Sequence, residues 1–512
     1  MTNNIERIIT QMQQSDFYPH AVNEKIELVQ THASLIFLTG EYAYKIKKGV
    51  DYGFLDYSTL DKRKRFVEEE LRLNRKVAPE LYLEIVTITS NSHKLAFNGA
   101  GNVVEYALKM RQFPQENLFS NLLKADKLKS DRLIELGKIV AQFHGDAETN
   151  EYISSFGTAD KIQAAFTENY QQSQKYIGTV QTQEQFAATK AYSDRFFNKR
   201  ELFQMRRDRH KIKECHGDLH LKNICLWHDK IRLFDRIEFN EFFRFVDTMY
   251  DVAFTVMDLE ARGQPEFANA FLNSYLEYSG DWEGLVVLPL YLSRQAYVRA
   301  KVNSFLLDDR QIDASEREKA KKTASDYYRQ AYQYTQTKSG TKSGSLILMS
   351  GLSGSGKSTV AKSIARDRGA IQIRSDAVRK HLAGIALDES GNIYTSEMTQ
   401  KTYARLQELG IMLVKEGYTV ILDAKYDRLS LRQPVITQAQ QERIPLKIVY
   451  CTAPESVLRD RLNRRQNDIS DAGANLIESQ KANAEDFTTT EQAYVTTVDT
   501  QTNWQKRLKA SS

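Results

Sequence analysis

The residues with the most definite chemistry lie in a stretch that begins at Gly351 and follows the pattern Gly-x-x-x-x-Gly-Lys-Ser. An apolar run at 346–349 precedes the pattern and predicts a buried strand, and a helical pattern follows it. Strand, glycine-rich turn and helix in this order are typical of a phosphate-binding P-loop, whose backbone N–H groups surround phosphate oxygens. We expect Lys357 to reach the β and γ phosphates and act in catalysis, and the Ser358 hydroxyl to ligate Mg²⁺. The residues predicted to bind ATP here are Gly351, Gly354, Gly356, Lys357, Ser358 and Thr359.

A second chemistry-bearing stretch, CHGDLHLKNICLWHDKIRLFD, occupies residues 215–235. Its spacing, His-Gly-Asp218-Leu-x-x-x-Asn223 followed by Leu-Phe-Asp235, matches the catalytic loop and the metal-binding acid of kinases. A carboxylate at Asp218 can accept the proton of an attacking hydroxyl. Asn223 and Asp235 offer the hard oxygen ligands that Mg²⁺ prefers. The sequence therefore predicts a second site for ATP and Mg²⁺.

Four polar residues around this loop are expected to have structural roles. We predict that one of His216 and His220 supports the loop and that the other is incidental, in preference to a transition-metal site. Asp247 and Asp251 lie at helical spacing downstream, and we expect them to anchor the loop through hydrogen bonds.

Two lysines and two glutamates upstream are candidates for holding the phosphates at this second site. Three short β-type runs predict a meander that ends in Lys45 and Lys47. Lys45 is the candidate for the α and β phosphates, and Lys47, on the same face by strand alternation, is the alternative. A charged helix is predicted over 61–78, where Glu69 is the expected ion-pair partner of the lysine and Glu70 is a close alternative.

Composition indicates an ordinary globular protein with more than one core. A chain of 512 residues is too long for a single core and predicts about two to four domains. The apolar content is 41%, the charged content is 27%, and the net charge of +5 is too diffuse to indicate nucleic-acid binding. The 3 cysteines form no CxxC pair, which favours a reducing compartment without structural zinc. We expect no signal peptide and no membrane helix, and hence a cytoplasmic location.

The P-loop segment reads as a domain of its own. The Gly/Ser/Lys-rich stretch at 337–345 predicts a linker between a first domain at 1–336 and a P-loop domain at 346–512. Past the P-loop, strands and helices alternate, which predicts a parallel sheet with ligands at the carboxyl ends of its strands. Asp423 ends one of these strands and is the predicted metal ligand, and Asp376 follows another and is the predicted catalytic base.

The first domain resembles the aminoglycoside phosphotransferase branch of the protein-kinase-like fold, on the residues HGDLHLKN, LFD and AYKIKK, over roughly residues 20–310. With the longer phrases FLTGEYAYKIKK, GFLDYSTLDKR and EEELRLN and a downstream P-loop, the chain is similar to bifunctional aminoglycoside phosphotransferase/ATP-binding proteins. The resemblance implies an α+β kinase-like fold and an adenine-binding hinge near 110–113. Asp235 is followed by Arg-Ile where protein kinases have Phe-Gly.

The segment 345–500 resembles P-loop kinases of the gluconate kinase, chloramphenicol phosphotransferase and zeta-toxin type, on IRSDAVRK and CTAPESVLRDRLNRR. Arg379, one helical turn after Asp376, is the candidate for binding the acceptor. The resemblance implies a lid whose arginines close over the transferring phosphoryl group. The candidate lid residues are Arg461, Arg464 and Arg465. The family's Asp-Ala-Thr is Asp-Ala-Lys425 in this chain.

These observations predict a cytoplasmic enzyme with two ATP- and Mg²⁺-dependent phosphotransferase domains that act on hydroxyl groups of small molecules. In the alternative hypothesis, one catalytic small-molecule kinase domain is regulated by a non-catalytic P-loop domain. Phosphorylation of a nucleic acid ranks third, because the sequence shows no basic, aromatic-lined cluster. No motif identifies the acceptor of either domain.

Overall fold

The computed structural model describes residues 2–22, 25–91, 94–309, 312–336, 344–391, 393–464, 469–470, 473–502 and 504–505. The strands are β1 (Glu27–Gln30), β2 (Ser34–Leu38), β3 (Tyr42–Lys47), β4 (Tyr82–Asn91), β5 (Lys94–Phe97), β6 (Asn102–Arg111), β7 (Ile212–Glu214), β8 (Ile224–Trp227), β9 (Lys230–Leu233), β10 (Phe245–Asp247), β11 (Ser345–Ser350), β12 (Ile371–Arg374), β13 (Thr419–Asp423), β14 (Leu446–Thr452) and β15 (Val495–Asp499).

The α-helices are α1 (Thr2–Met12), α2 (Leu60–Arg75), α3 (Phe119–Lys124), α4 (Ser130–Asp146), α5 (Glu151–Ser154), α6 (Ala159–Ser173), α7 (Gln183–Phe197), α8 (Arg200–Asp208), α9 (Glu241–Arg244), α10 (Thr248–Ala261), α11 (Pro265–Ser279), α12 (Leu288–Phe305), α13 (Ala314–Gln336), α14 (Lys357–Arg368), α15 (Ser375–Ala383), α16 (Ser396–Lys415), α17 (Leu429–Gln441), α18 (Glu455–Arg464) and α19 (Ile477–Asn483). Among the described residues, none of these helices combines the length and the apolar character that crossing a bilayer requires.

The chain divides into two compact units. The first unit comprises residues 1–129, 146–165 and 199–258, and the second comprises 130–145, 166–198 and 259–512. Most of the predicted linker, residues 337–343, lies outside the described residues, and Ser345 is already the first residue of β11. The domain boundaries therefore stay a prediction.

The first unit contains an antiparallel sheet in the strand order β1-β2-β3-β6-β4-β5. Side chains alternate between the faces of β3, so Tyr44 and Ile46 join the apolar core on one face. Lys45 and Lys47 lie on the opposite face, where both contact α2. Since β3 pairs with β2 and β6, it is an interior strand, and its lysines are held by hydrogen-bonded neighbours on both sides.

Helix α2 covers this lysine-bearing face. Its N-terminus is capped by Thr59, whose hydroxyl accepts a hydrogen bond from the backbone N–H of Lys62. Its buried residues recur at helical spacing, which fixes the face that it turns toward the sheet. They are Val67, Glu70, Leu73 and Asn74. One of the residues on that buried face is therefore a carboxylate.

The second unit contains a parallel sheet in the strand order β12-β13-β11-β14-β15. The central strand β11 pairs with β13 and β14, and five of its six residues are buried, as expected for a strand covered on both faces. Parallel strands place their carboxyl ends at one edge, so the loop after β11 and Asp423 at the end of β13 lie side by side. The parallel sheet predicted for this segment is confirmed.

A buried ion pair joins α17 to the segment before β15. The Nε of Arg432 donates to Oε1 of Glu491 at 2.6 Å, and the two side chains are 1% and 2% exposed. We predict that Arg432→Met lowers the free energy of unfolding by about 3 kcal/mol, because it leaves the glutamate buried without its cation. Thermal and urea unfolding of the full chain measure this change.

The control for this variant is Lys190→Met, which breaks an ion pair with Asp194 whose side chains are 48% and 43% exposed. We expect a change below about 0.5 kcal/mol there, since water already solvates both charges. Equal losses in the two variants would contradict the prediction.

Candidate active sites

A lysine and two carboxylates from separate parts of the chain meet in the first unit. The Nζ of Lys45, on β3, donates to Oε1 of Glu70 at 2.8 Å and to Oδ1 of Asp235 at 2.6 Å. Burial alone would lower the pKa of Lys45, but Asp235 and Glu70 raise it well above its usual value. The lysine is therefore a permanent cation beside the predicted metal-binding acid.

The prediction that Glu69 is the partner of Lys45 is wrong, and the alternative, Glu70, takes that place. The two residues are adjacent on α2, so their side chains differ by about 100° around the helix axis. Glu70 is on the buried face and is 1% exposed. Glu69 turns away, and its carboxylate accepts hydrogen bonds from Arg72 at 2.7 Å and from Arg244 at 3.1 Å.

The second lysine, Lys47, belongs to the same charge cluster and is 1% exposed. Its Nζ donates to Oε2 of Glu70 at 2.7 Å and to the Tyr57 hydroxyl at 3.2 Å, and it also contacts Glu238. Each oxygen of Glu70 therefore binds a different lysine. Sequence reasoning missed Tyr57 and Glu238, since nothing in the pattern of either segment relates them to the lysines.

The loop that carries Asp218 is anchored by Asp251. Its two carboxylate oxygens accept the backbone N–H groups of His216 at 2.7 Å and Gly217 at 2.8 Å, which confirms the predicted anchoring role. Gly217 has φ +87°, and a Cβ there would lie 2.4 Å from the carbonyl oxygen of Phe243. The sharp turn before Asp218 therefore requires glycine.

The ring of His216 also supports the loop. Its Nε2 contacts the carbonyl oxygen of Phe234 at 3.0 Å, and its Nδ1 accepts the Asp218 N–H at 3.3 Å. Burial lowers the pKa of His216 to about 4, so the ring is neutral and joins two segments of the site.

Asp218 is positioned by two side chains. The amide nitrogen of Asn223 donates to Oδ2 of Asp218 at 3.1 Å, and Nε2 of His220 lies 3.4 Å from the same oxygen. The prediction that one of the two histidines has no role in the loop is therefore wrong, because His220 contacts Asp218 as well. Because the Asn223 amide uses its nitrogen on Asp218, its oxygen is the atom suited to a metal ligand. With Asp235, whose backbone adopts φ +63°, the site offers the hard oxygen donors that Mg²⁺ prefers.

The P-loop of the second unit forms a backbone cradle. Gly351, Gly354 and Gly356 have φ angles of +132°, +79° and +89°. A Cβ at Gly351 would lie 2.4 Å from the carbonyl oxygen of Cys451, so this turn has no space for a side chain. Lys357 is the first residue of α14, and its Nζ donates to the Leu352 carbonyl oxygen at 2.8 Å. This shape fits a phosphate group.

The cradle opens into a cavity of about 1020 Å³. Its lining includes the predicted residues Gly354, Gly356, Lys357, Ser358, Thr359, Asp376, Arg379, Asp423, Arg461 and Arg464. Asp376 accepts a hydrogen bond from Arg379 at 3.0 Å, and the guanidinium of Arg379 stacks 4.7 Å from the Tyr394 ring centroid. The buried Nε of Arg379 and Oδ1 of Asp427 have no hydrogen-bond partner among the described residues, which fits a cavity that takes a polar ligand.

The candidate lid arginines differ in their contacts. Arg461 donates to the carbonyl oxygen of Gly354 at 3.3 Å and to the Thr500 hydroxyl at 2.8 Å, so it fastens the P-loop to the end of β15. Arg464 is 80% exposed and pairs with Asp460 on its own helix. Arg465 lies outside the described residues. Sequence reasoning missed Thr500, whose hydroxyl also donates to the carbonyl oxygen of Ser355 in the P-loop.

Comparison with known proteins gives matches to the whole chain and to its parts. Residues 346–487 match the sequence family described as an AAA domain. An uncharacterized protein of Mycobacterium tuberculosis is 27% identical over 481 residues, which cover 93% of this chain and 93% of that protein. A solved choline kinase of Cryptosporidium parvum is 12% identical and covers 65% of this chain and 95% of its own, with a TM-score of 0.40. A gluconokinase of Sinorhizobium meliloti is 22% identical and covers 33% of this chain and 90% of its own, with a TM-score of 0.25.

The two candidate sites lie in units of different architecture, one with an antiparallel sheet and one with a parallel sheet and a P-loop. The predicted fold class is confirmed: an α+β module with an antiparallel sheet precedes an α/β P-loop module with a parallel sheet.

The adjacent residues Glu69 and Glu70 provide a matched test of the first site. In a chain carrying Lys357→Ala, which disables the P-loop, we predict that Glu70→Gln weakens binding of a fluorescent ATP analogue about tenfold, because the lysines lose a charged partner. Glu69→Gln is expected to change it by less than about twofold. Equilibrium titration measures both, and the same loss in both variants would refute the assignment of Glu70.

The burial of His216 predicts a pH-dependent stability. Its pKa is about 4 in the folded chain and 6.5 as an ordinary histidine, so between these values only the unfolded chain takes up the proton. Stability should therefore fall as pH drops through this window, and His216→Gln should lose that part of the fall. Thermal unfolding from about pH 7 to pH 5 measures it. The exposed His32→Gln is the control, and identical pH profiles in all three proteins would exclude the effect.

Proposed function

We propose that this chain is an ATP- and Mg²⁺-dependent phosphotransferase with two separate nucleotide sites, each transferring a γ-phosphoryl group to a hydroxyl of a small molecule. A cytoplasmic location is part of the proposal, as is the assignment of every site residue to its role.

One observation carries the proposal for the first site. The Nζ of Lys45 lies within 2.8 Å of both Glu70 and Asp235, which are 25 and 190 residues away in sequence. A cation held beside a metal-binding acid is the arrangement that positions ATP phosphates in kinases. Lys45 and Glu70 are only 13% and 1% exposed, whereas a chance cluster of surface charges would be solvated.

The acceptor chemistry at this site falls to Asp218. Its side chain is 35% exposed, so it is open to an incoming hydroxyl group, whereas Asn223 and His220 fix its orientation. As a carboxylate it accepts the hydroxyl proton while the oxygen attacks the γ-phosphorus. The bond between the γ-phosphorus and the bridging oxygen of the β-phosphate breaks in the same step, and ADP leaves. Asn223 and Asp235 would hold Mg²⁺, which neutralises charge on the phosphates when it is bound.

At the second site, the glycine cradle and Lys357 would hold the triphosphate, and Ser358 and Asp423 would hold Mg²⁺. Asp376 is the proposed base, because it lies in the same cavity and Arg379 fixes its carboxylate. Arg379 and Arg464 are proposed to contact the acceptor or the transferring group, whereas Arg461 supports the loop. The cavity volume of about 1020 Å³ is sufficient for a nucleotide and a small acceptor together.

The alternative is a catalytic first module regulated by a non-catalytic P-loop module. Helix α11, upstream of the predicted linker, belongs to the same compact unit as the P-loop and makes direct hydrogen bonds to β12. The P-loop segment therefore has a structural connection to the part of the chain that precedes it.

The test is ATP turnover by the full-length chain against a panel of hydroxyl-bearing metabolites, with single-site variants. Asp218→Asn should lower turnover of the first site's substrate by about 100-fold or more, because the hydroxyl keeps its proton. Lys357→Ala should remove turnover at the second site and leave the first unchanged. Loss of first-site turnover in Lys357→Ala would favour the regulatory alternative. Failure of the unmodified chain to bind ATP with Mg²⁺ at either site would refute the proposal.

A further inference from the structure

Strand β12 is an edge strand of the parallel sheet, and α11 satisfies its outer backbone groups. The side-chain oxygen of Asn273 accepts the Gln372 N–H at 2.7 Å, and its nitrogen donates to the carbonyl oxygen of Ala370 at 3.0 Å. Asn269, one turn earlier on the helix, donates to the same carbonyl oxygen at 3.0 Å. Two asparagines of α11 thus take the place of a neighbouring strand and fix the position of β12.

Two side chains of β12 reach the predicted metal ligand Asp423. The amide nitrogen of Gln372 donates to Oδ2 of Asp423 at 2.8 Å. The Nε of Arg374, the last residue of the strand, lies 4.0 Å from the same oxygen. The first contact is a hydrogen bond, whereas the second is an ion pair at the limit of contact distance.

Arg374 makes its shorter ion pair with a carboxylate on α11. The NH1 nitrogen of Arg374 donates to Oε1 of Glu277 at 3.1 Å, and the two side chains are 11% and 19% exposed. They line a cavity of about 330 Å³ between α11 and α14, and Arg374 also lines the P-loop cavity. One guanidinium therefore has two carboxylates within reach, one on α11 and one at the P-loop site.

These two carboxylates compete for the same cation. An arginine paired only with Asp423 would neutralise it and occupy the oxygens that a metal ion needs, since both cations bind the same lone pairs. Glu277 supplies the compensating charge and keeps the guanidinium at a distance. Gln372, which is uncharged, orients Asp423 without that competition.

We propose that Glu277 is a positioning residue for the P-loop site: by holding Arg374 on α11, it keeps the carboxylate of Asp423 available to Mg²⁺. The inference rests on the proposed function of that site. It assigns a role in the P-loop reaction to a helix that lies upstream of the predicted linker and outside the matched P-loop segment.

The test measures the Mg²⁺ dependence of nucleotide binding in the full-length chain. A Lys45→Ala background confines binding of a fluorescent ATP analogue to the P-loop site. We expect Glu277→Gln to raise the half-saturating Mg²⁺ concentration roughly tenfold, as for loss of a residue that supports a metal ligand. The matched control on the same helix is Glu266→Gln, whose carboxylate is 62% exposed, and it should leave the Mg²⁺ dependence unchanged.

A second variant distinguishes a positioning role of Glu277 from a role in stabilising the fold alone. Arg374→Gln breaks the same ion pair but removes the competing cation, so it should not raise the Mg²⁺ requirement. In the double variant E277Q/R374Q the half-saturating Mg²⁺ concentration should return to that of the Lys45→Ala background. This variant distinguishes positioning of Arg374 from a general structural role of Glu277 if Glu277→Gln alone unfolds at a lower temperature. An unchanged requirement in Glu277→Gln, or a raised one in Arg374→Gln or in the double variant, would overturn the inference. Binding that survives Lys357→Ala in the same background would instead refute the proposed P-loop site.

Discussion

Mutual neutralisation of buried charges is the constraint on which the first unit depends. Lys45 and Lys47 lie on an interior strand of the sheet, on the face that α2 covers. Burying an ammonium group without a partner is prohibitively costly. Three carboxylates, at Glu70, Asp235 and Glu238, meet that need. Since these come from a helix and from the segment after β9, the sheet, the helix and the catalytic segment have to come together for any of them to be stable.

Backbone hydrogen bonds add to this charge cluster and fix the segment that carries Asp235. The backbone N–H of Arg236 donates to the Asn74 side-chain oxygen at 3.0 Å, and the N–H of Asp235 donates to the Tyr82 hydroxyl at 3.0 Å. Asp235, the proposed metal ligand, is therefore fixed by its backbone as well as by its charge. A group held in advance loses little entropy when the phosphates bind, which is the basis of electrostatic preorganisation.

The second unit prepares its candidate phosphate site with backbone geometry. Its glycines adopt conformations that other residues rarely reach, and they turn N–H groups inward where the first unit uses side chains. This difference explains why the P-loop site could be predicted more completely from the sequence than the site in the first unit. A P-loop is contiguous, so its spacing alone predicts the strand, the cradle and the helix, and Asp423 follows from an apolar strand that ends in an acid.

Features that depend on packing could not be read in this way. Glu69 and Glu70 are neighbours of identical chemistry, and only the rotation of α2 against the sheet decides which one meets the lysines. Glu238, Tyr57 and Thr500 act across long sequence separations and belong to no motif. The role of α11 was hidden for the same reason, because its asparagines look like ordinary polar residues of an exposed helix face until β12 is placed beside them.

The asparagines of α11 also bear on where this chain can be divided. A fragment that begins after the predicted linker would keep every P-loop residue yet lose the partners of the Gln372 N–H and the Ala370 carbonyl oxygen. Its outermost strand would then present bare hydrogen-bonding groups to other copies, the condition under which sheets associate edge to edge and precipitate. Cutting the chain at the predicted linker would thus yield an aggregation-prone fragment, because the structural unit that contains the P-loop begins upstream of that linker.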